Sequence, residues 1–235
     1  MSLNKTLLFL SLLLLNSNAS AHTGKIFYLK TFAAINKNSD IKTVDSDINF
    51  ILNQKANLSP TIGVGIGYNI NSFSRVDLVF ENSNIGFATK TGRFRFYDDG
   101  ILNVGTRSIK RTANIQSLML NYYINVIDMS AFKVFIGAGT GVGSSIIKEK
   151  TFDRFDSYIT IDGRSITLPT IYTSHTNENK KSFSYAFMIG ADFNVCRNFN
   201  VEVGYSWKHA GKVKTDDSYN KYRGHNVSLA ARFGL

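Results

Sequence analysis

An all-β fold, an eight-stranded antiparallel barrel that crosses a membrane on its strands, follows from three features of the chain. Long stretches alternate apolar residues with polar or small ones at period two, which on a pleated strand sends each set to its own face. The connections between these stretches alternate strictly between short and long. Tyr, Phe and Trp gather at the strand ends, where a membrane-crossing strand meets its two interfaces.

Composition agrees with a single folded domain. The 235 residues are 43% hydrophobic and 19% charged, with a formal net charge of +10, and only 2 prolines leave little material for a linker. The single cysteine, Cys196, cannot close an intrachain disulfide or build a cysteine-based zinc site. At the N-terminus, Lys5 precedes the apolar run Leu7 to Leu15, and Ala19-Ser20-Ala21 follows. Residues 1–21 therefore read as a secretory signal peptide, with a mature domain over 22–235 that begins at His22. The apolar run is too short to span a hydrocarbon layer of about 30 Å as a helix, and no later segment reaches the ~18 apolar residues such a helix needs.

The first strand is expected around Lys25 to Ala34. In the second, Thr61 to Ile70, the residues Ile62, Val64, Ile66, Tyr68 and Ile70 share one face, with Gly63, Gly65, Gly67 and Asn69 on the other. The third sets Val76, Leu78 and Phe80 against Arg75, Asp77, Val79 and Glu81, after a tight polar turn at 69–72. Leu118, Leu120, Tyr122 and Ile124 mark the fourth strand. Val134, Ile136, Ala138, Thr140 and Val142 mark the fifth, reached by a turn through Asp128. The sixth carries Phe183, Tyr185, Phe187, Ile189, Ala191 and Phe193 on one face. The seventh carries Val201, Val203, Tyr205 and Trp207, after a turn over 194–198. The eighth runs from His225 to Leu235. Long polar loops are expected at 35–57, 87–112, 148–181 and 209–222. Short turns on one side, long loops on the other, an even strand number and an apolar outer face are the pattern of a bacterial outer-membrane barrel. Closure leaves no unpaired edge in lipid.

Eight strands enclose a lumen that side chains can fill. The inward charges are Lys30, Arg75, Lys133 and Arg232 against Asp77, Glu81, Asp192 and Glu202. Equal numbers of each sign point to a paired, packed interior rather than a selective pore, which would favour one sign. The glycines of 137–143 recur at every second residue, so they make room for large inward neighbours and lack the spacing of a phosphate cradle. His225 and Ser228 are three apart on a strand and face opposite ways, which removes the nearest Ser-His pair. No catalytic residues, cofactor or metal ligands are expected.

Positive charge concentrates in the second loop, where Lys90, Arg93, Arg95, Arg107, Lys110 and Arg111 outnumber Asp98 and Asp99. Within it Arg93-Phe94-Arg95-Phe96-Tyr97 interleaves arginine with aromatics, residue types common in binding hot spots. The partners such a loop fits are an acidic host protein, a sulfated polysaccharide or the phosphates of outer-membrane lipid. Nucleic acid is not expected, because the chain is exported and carries no nucleic-acid-binding motif.

The segments Pro60 to Tyr68, Gln116 to Tyr123, Phe135 to Gly143, Val203 to Trp207 and His225 to Phe233 resemble the opacity-type small outer-membrane proteins, and among them the rickettsial adhesins of that superfamily. The resemblance covers the strands of the mature chain and leaves the loops unmatched. It implies an eight-stranded barrel that attaches the bacterium to host epithelial-cell proteins, with the serum protein vitronectin among the implied partners, and it brings no catalytic residues. The chain ends Phe233-Gly234-Leu235, where such barrels usually end in an aromatic residue. The expectation is a monomeric or weakly oligomeric surface adhesin whose loops bind a host cell-surface or serum protein. A small pore and a purely structural barrel are the alternatives, and a lipid-modifying enzyme is the remotest reading.

Overall fold

The computed structural model describes residues 27–45, 50–98, 101–129, 131–161, 164–215 and 218–235. The expected signal peptide, the start at His22, the first residues of the expected first strand and Asp99 lie outside the described residues. Among the described residues, eleven strands follow one another: β1 Phe27–Asn38, β2 Ile41–Asp45, β3 Phe50–Gln54, β4 Leu58–Asn69, β5 Ser74–Gly86, β6 Lys90–Asp98, β7 Ile101–Asp128, β8 Phe132–Ile161, β9 Arg164–Cys196, β10 Phe199–Thr215 and β11 Ser218–Gly234.

Eight of them close a ring. The pairing order runs β5-β4-β1-β11-β10-β9-β8-β7, and β5 pairs again with β7. All these pairings are antiparallel. The remaining three strands lie outside the ring: β6 pairs with the early part of β7, and β2 and β3 form a hairpin of their own.

The period-two pattern fixes which face meets lipid. Ile62, Val64, Ile66, Leu78, Leu118, Leu120, Ile136, Ile189, Val203 and Leu229 are all exposed on the outer surface. In water this would be a large liability; in lipid it is the favourable state. Aromatic pairs bound the apolar band. Phe27 packs at a tilt against Tyr68, Phe132 against Phe193 and Phe199 against Phe233 at the short-turn end, while Tyr185, Phe187 and Trp207 cluster at the other. From Phe199 to Trp207 a strand tilted by roughly 40° climbs about 20 Å, close to the height of an outer-membrane apolar belt.

The short turns are built from their own side chains. Asn71 Oδ1 accepts bonds from the backbone N–H of Phe73 at 3.1 Å and of Ser74 at 2.8 Å, so a single amide oxygen closes the β4–β5 turn. Inward glycines face the large inward rings. A Cβ on Gly137 would lie 2.7 Å from the Tyr123 ring, and one on Gly190 would lie 2.5 Å from that of Phe135.

The connections at 87–112 and 148–181 are not loops. They are continuations of β6, β7, β8 and β9, which span 9, 28, 30 and 33 residues. A tilted strand needs only about 9–11 residues to cross the bilayer. Most of β8 and β9 therefore stands outside it as a free-standing sheet. The same holds at 209–222, where β10 and β11 stay paired to Thr215 and Ser218, and at 35–57, where β1 runs on to Asn38 and the β2–β3 hairpin follows.

Candidate functional site

Inside the barrel, β1, β5, β9, β10 and β11 each contribute charges to one layer. The Lys30 ammonium lies 2.8 Å from Glu202 Oε1 and 3.3 Å from Asp77 Oδ2. Arg75 donates to Glu202 Oε2 at 2.7 Å, and Arg232 pairs with Asp192. Tyr28 donates its hydroxyl proton to Asp77. The Arg75 guanidinium lies against two rings that pack edge-on, 4.4 Å from the centre of Tyr123 and 4.6 Å from that of Phe135. Three cations thus meet three carboxylates, which is the arrangement that makes buried charge tolerable. Below the layer, a cavity of about 530 Å³ opens between the short turns. Above it, a gap beside Lys30, Glu81, Tyr123 and Lys208 holds about 60 Å³.

Two of the expected network members stand apart from this layer. Glu81 pairs higher up with Lys208, a residue absent from the expected set, and both contact Ser117. Lys133 belongs to the short-turn mouth, where it reaches Asp128 at 2.9 Å and the carbonyl of Ser72 at 3.3 Å. Its position next to the β7–β8 turn, rather than in mid-strand, takes it out of the interior. Among the described residues no cluster of three His, Cys, Asp or Glu could hold a metal ion.

Outside the membrane, β6, β7, β8 and β9 form one sheet with two unlike faces. Phe94 is buried against Leu52 of β3 and Ile109 of β7, with Phe96 and Phe155 packed around them. The three phenylalanine rings lie 6.0–6.2 Å apart, in contact distance for stacked and edge-on pairs. A second apolar cluster, from Ala56, Ile85, Phe87, Ala113, Ile115 and Ile147, lies nearer the membrane. Across the same face, Arg107 meets Asp153 through two bonds of 2.9 and 2.8 Å, and Arg111 meets Glu149. Both pairs stand directly opposite one another in the β7–β8 register, the position in which opposite charges stabilise a sheet.

This geometry divides the expected basic patch. Arg111 is 2% exposed and Arg107 is tied to Asp153, so neither belongs to an outer binding surface. Phe94 and Phe96 face the inner apolar cluster, because alternate residues of a strand point to opposite sides. Lys90 is exposed but shares the Phe94 face and donates to the Asn53 carbonyl at 3.0 Å. Arg93, Arg95, Tyr97 and Lys110 remain on the outer face, all exposed.

The register adds residues that the sequence had not singled out. Thr106 stands opposite Arg93 on one side and Arg154 on the other, and Lys110 stands opposite Lys150, which stands opposite His175. Among the described residues, the outer face therefore collects Arg93, Arg95, Lys110, Lys148, Lys150 and Arg154 against a single carboxylate, Asp156. The carboxylates Glu149 and Asp153 go to the inner face. Large apolar side chains are exposed here too, well away from the lipid band: Tyr97 at 74%, Ile171 at 65%, and Phe152 and Tyr158. The period-two spacing of Lys148, Lys150, Phe152 and Arg154 was the available signal, obscured by acidic residues in the alternate positions.

Comparison with known proteins agrees with this architecture. Residues 7–233 match the family described as outer membrane protein beta-barrel domain. A Rickettsia conorii protein named "Putative adhesin RC1281" is 31% identical, with 94% of this chain and 86% of the relative covered. A Rickettsia prowazekii protein named "Putative adhesin RP828" is 28% identical over 77% of each. Among solved structures, Neisserial surface protein A is matched over 89% of this chain and 97% of its own, at 17% identity and a TM-score of 0.47. With its closed ring, its lipid-facing apolar band and this match over nearly its whole length, the chain belongs to the outer-membrane β-barrel domain family and resides in the bacterial outer membrane.

Proposed function

We propose that the protein is a surface adhesin and that the outer face of the β6–β9 sheet binds a host protein. The observation that carries this reading is the combination of exposed cations and exposed aromatics on one face beyond the membrane. Such a surface is costly to leave in water and is the composition that interface cores and their basic rims use. The names of the rickettsial relatives support it. The barrel acts as an anchor, and its packed interior leaves the binding to the projecting sheet. The vitronectin of serum is the first purified partner to examine, on the strength of the family resemblance.

The test is capture of labelled epithelial-cell proteins and of purified vitronectin by the refolded barrel. A variant with Arg93→Ser, Arg95→Ser, Lys110→Ser and Arg154→Ser serves as comparison. All four side chains are exposed, so the variant keeps its fold. Binding by the parent should fall with added salt and should drop at least tenfold in the variant. Equal capture by both proteins removes the outer face from the account.

A further inference from the structure

The projecting sheet has an open edge. Between Ile166 and Lys181, β9 pairs on one side with β8, while β10 reaches it only from Tyr185, which stands opposite His209. Among the described strands none pairs with the other side of this segment. The backbone N–H and C=O groups pointing that way form a row ready to pair with another extended chain. Edges are usually blunted by proline, lysine or a bulge. Here Pro169 stands near the tip and Lys180 and Lys181 near the base, but Thr170 to Asn179 contains no proline and no register shift. That window is rich in β-branched and aromatic residues and runs for roughly 30 Å.

Charge says what the edge accepts. On the outer face, Lys150 neighbours His175, Lys148 neighbours Asn177 and Arg154 neighbours Ile171 in register. All three cations are exposed and none has a carboxylate opposite it on β9. A strand added beside β9 would place alternate side chains on this same face, about 10 Å from β8, within reach of lysine and arginine leaning across the small Asn177 or Thr173. A second copy of the chain joining edge to edge would bring two sets of these cations together, which is unfavourable. Carboxylates on the incoming strand meet them favourably. We propose that β9, from Thr170 to Asn179, receives an extended acidic segment of a host protein as an additional strand. This rests on the adhesive reading and specifies its mode: main-chain bonds supply affinity and alternate acidic side chains supply selectivity.

The probe is a synthetic peptide of alternating threonine and glutamate long enough to span Thr170 to Asn179. It is compared with the same peptide N-methylated at every residue and with a heparin-derived oligosaccharide. Each is added to the refolded full barrel in lipid nanodiscs, with amide hydrogen exchange read across residues 166–181 and affinity read separately. The unmodified peptide should slow exchange over 170–179 by tenfold or more, and the N-methylated peptide should not, because it cannot donate to the edge. Lys148→Gln with Lys150→Gln should weaken peptide binding about tenfold. Equal binding of the N-methylated peptide, or absence of protection with the unmodified one, overturns strand addition. Protection by the oligosaccharide alone overturns it in favour of a sulfated polysaccharide. Host-protein capture run in parallel separates the two readings: capture without β9 protection leaves the adhesin and removes this mode, whereas loss of both removes both.

Discussion

Replacing Arg75 by leucine tests the packed lumen most directly. The guanidinium is held by Glu202 at 2.7 Å, approaches Asp192 at 3.8 Å, and lies against the rings of Tyr123 and Phe135. Arg75 is 3% exposed and Asp192 is 1% exposed, so the intact layer holds both charges out of bulk water. Removing it leaves two cations, Lys30 and Arg232, among three buried carboxylates. Breaking a buried ion pair in this way costs about 3–5 kcal/mol. Glu202→Gln removes one carboxylate as well, so the double variant returns the layer to two of each sign. It should be less destabilised than the sum of the singles, with a coupling of about 2–3 kcal/mol. The assay is urea unfolding of the barrel refolded into lipid vesicles. The single tryptophan, Trp207, reports it by fluorescence from the aromatic girdle. Two small additive losses, each under about 1 kcal/mol, would show solvated pairs in a watery lumen and refute the reasoning. Planar-bilayer conductance of the parent is expected to be negligible, and a pore-sized conductance would refute the packed lumen independently.

Two further outcomes follow from the packing. Gly137→Leu drives a side chain into Tyr123 and the Tyr122 carbonyl, an overpacking that should cost about 1–3 kcal/mol in the same unfolding assay, where Gly86→Leu, whose Cβ meets the Asn57 side chain at an ordinary 3.6 Å, should cost less. Phe94→Ala removes the centre of the phenylalanine cluster outside the membrane. It should leave the barrel intact while making the β6–β7 hairpin markedly more susceptible to limited proteolysis, and unchanged cleavage would mean that the cluster does not hold the sheet.

The sequence by itself determined the barrel. In lipid, every strand must show an apolar outer face and every backbone group must be paired, so alternation at Ile62 to Ile70 or Phe183 to Phe193, with short turns between partners, leaves few other arrangements. The charges Lys30, Arg75, Asp77, Asp192, Glu202 and Arg232 were legible for the same reason, since a charge in these strands has only one side to face. Lys208 was not, because it lies beyond the last outward aromatic, where the lipid constraint ends. Beyond the membrane that constraint vanishes altogether. The segment Lys148-Glu149-Lys150-Thr151-Phe152-Asp153-Arg154 is polar on both faces, and composition alone makes it a loop. Only the register, which sets Glu149 against Arg111 and Asp153 against Arg107, shows that it is a strand and separates its buried pairs from its exposed cations. A string of residues gives the sum of the charges, but the alternation of a strand and the identity of its neighbour across the sheet decide which of them cancel and which meet a partner.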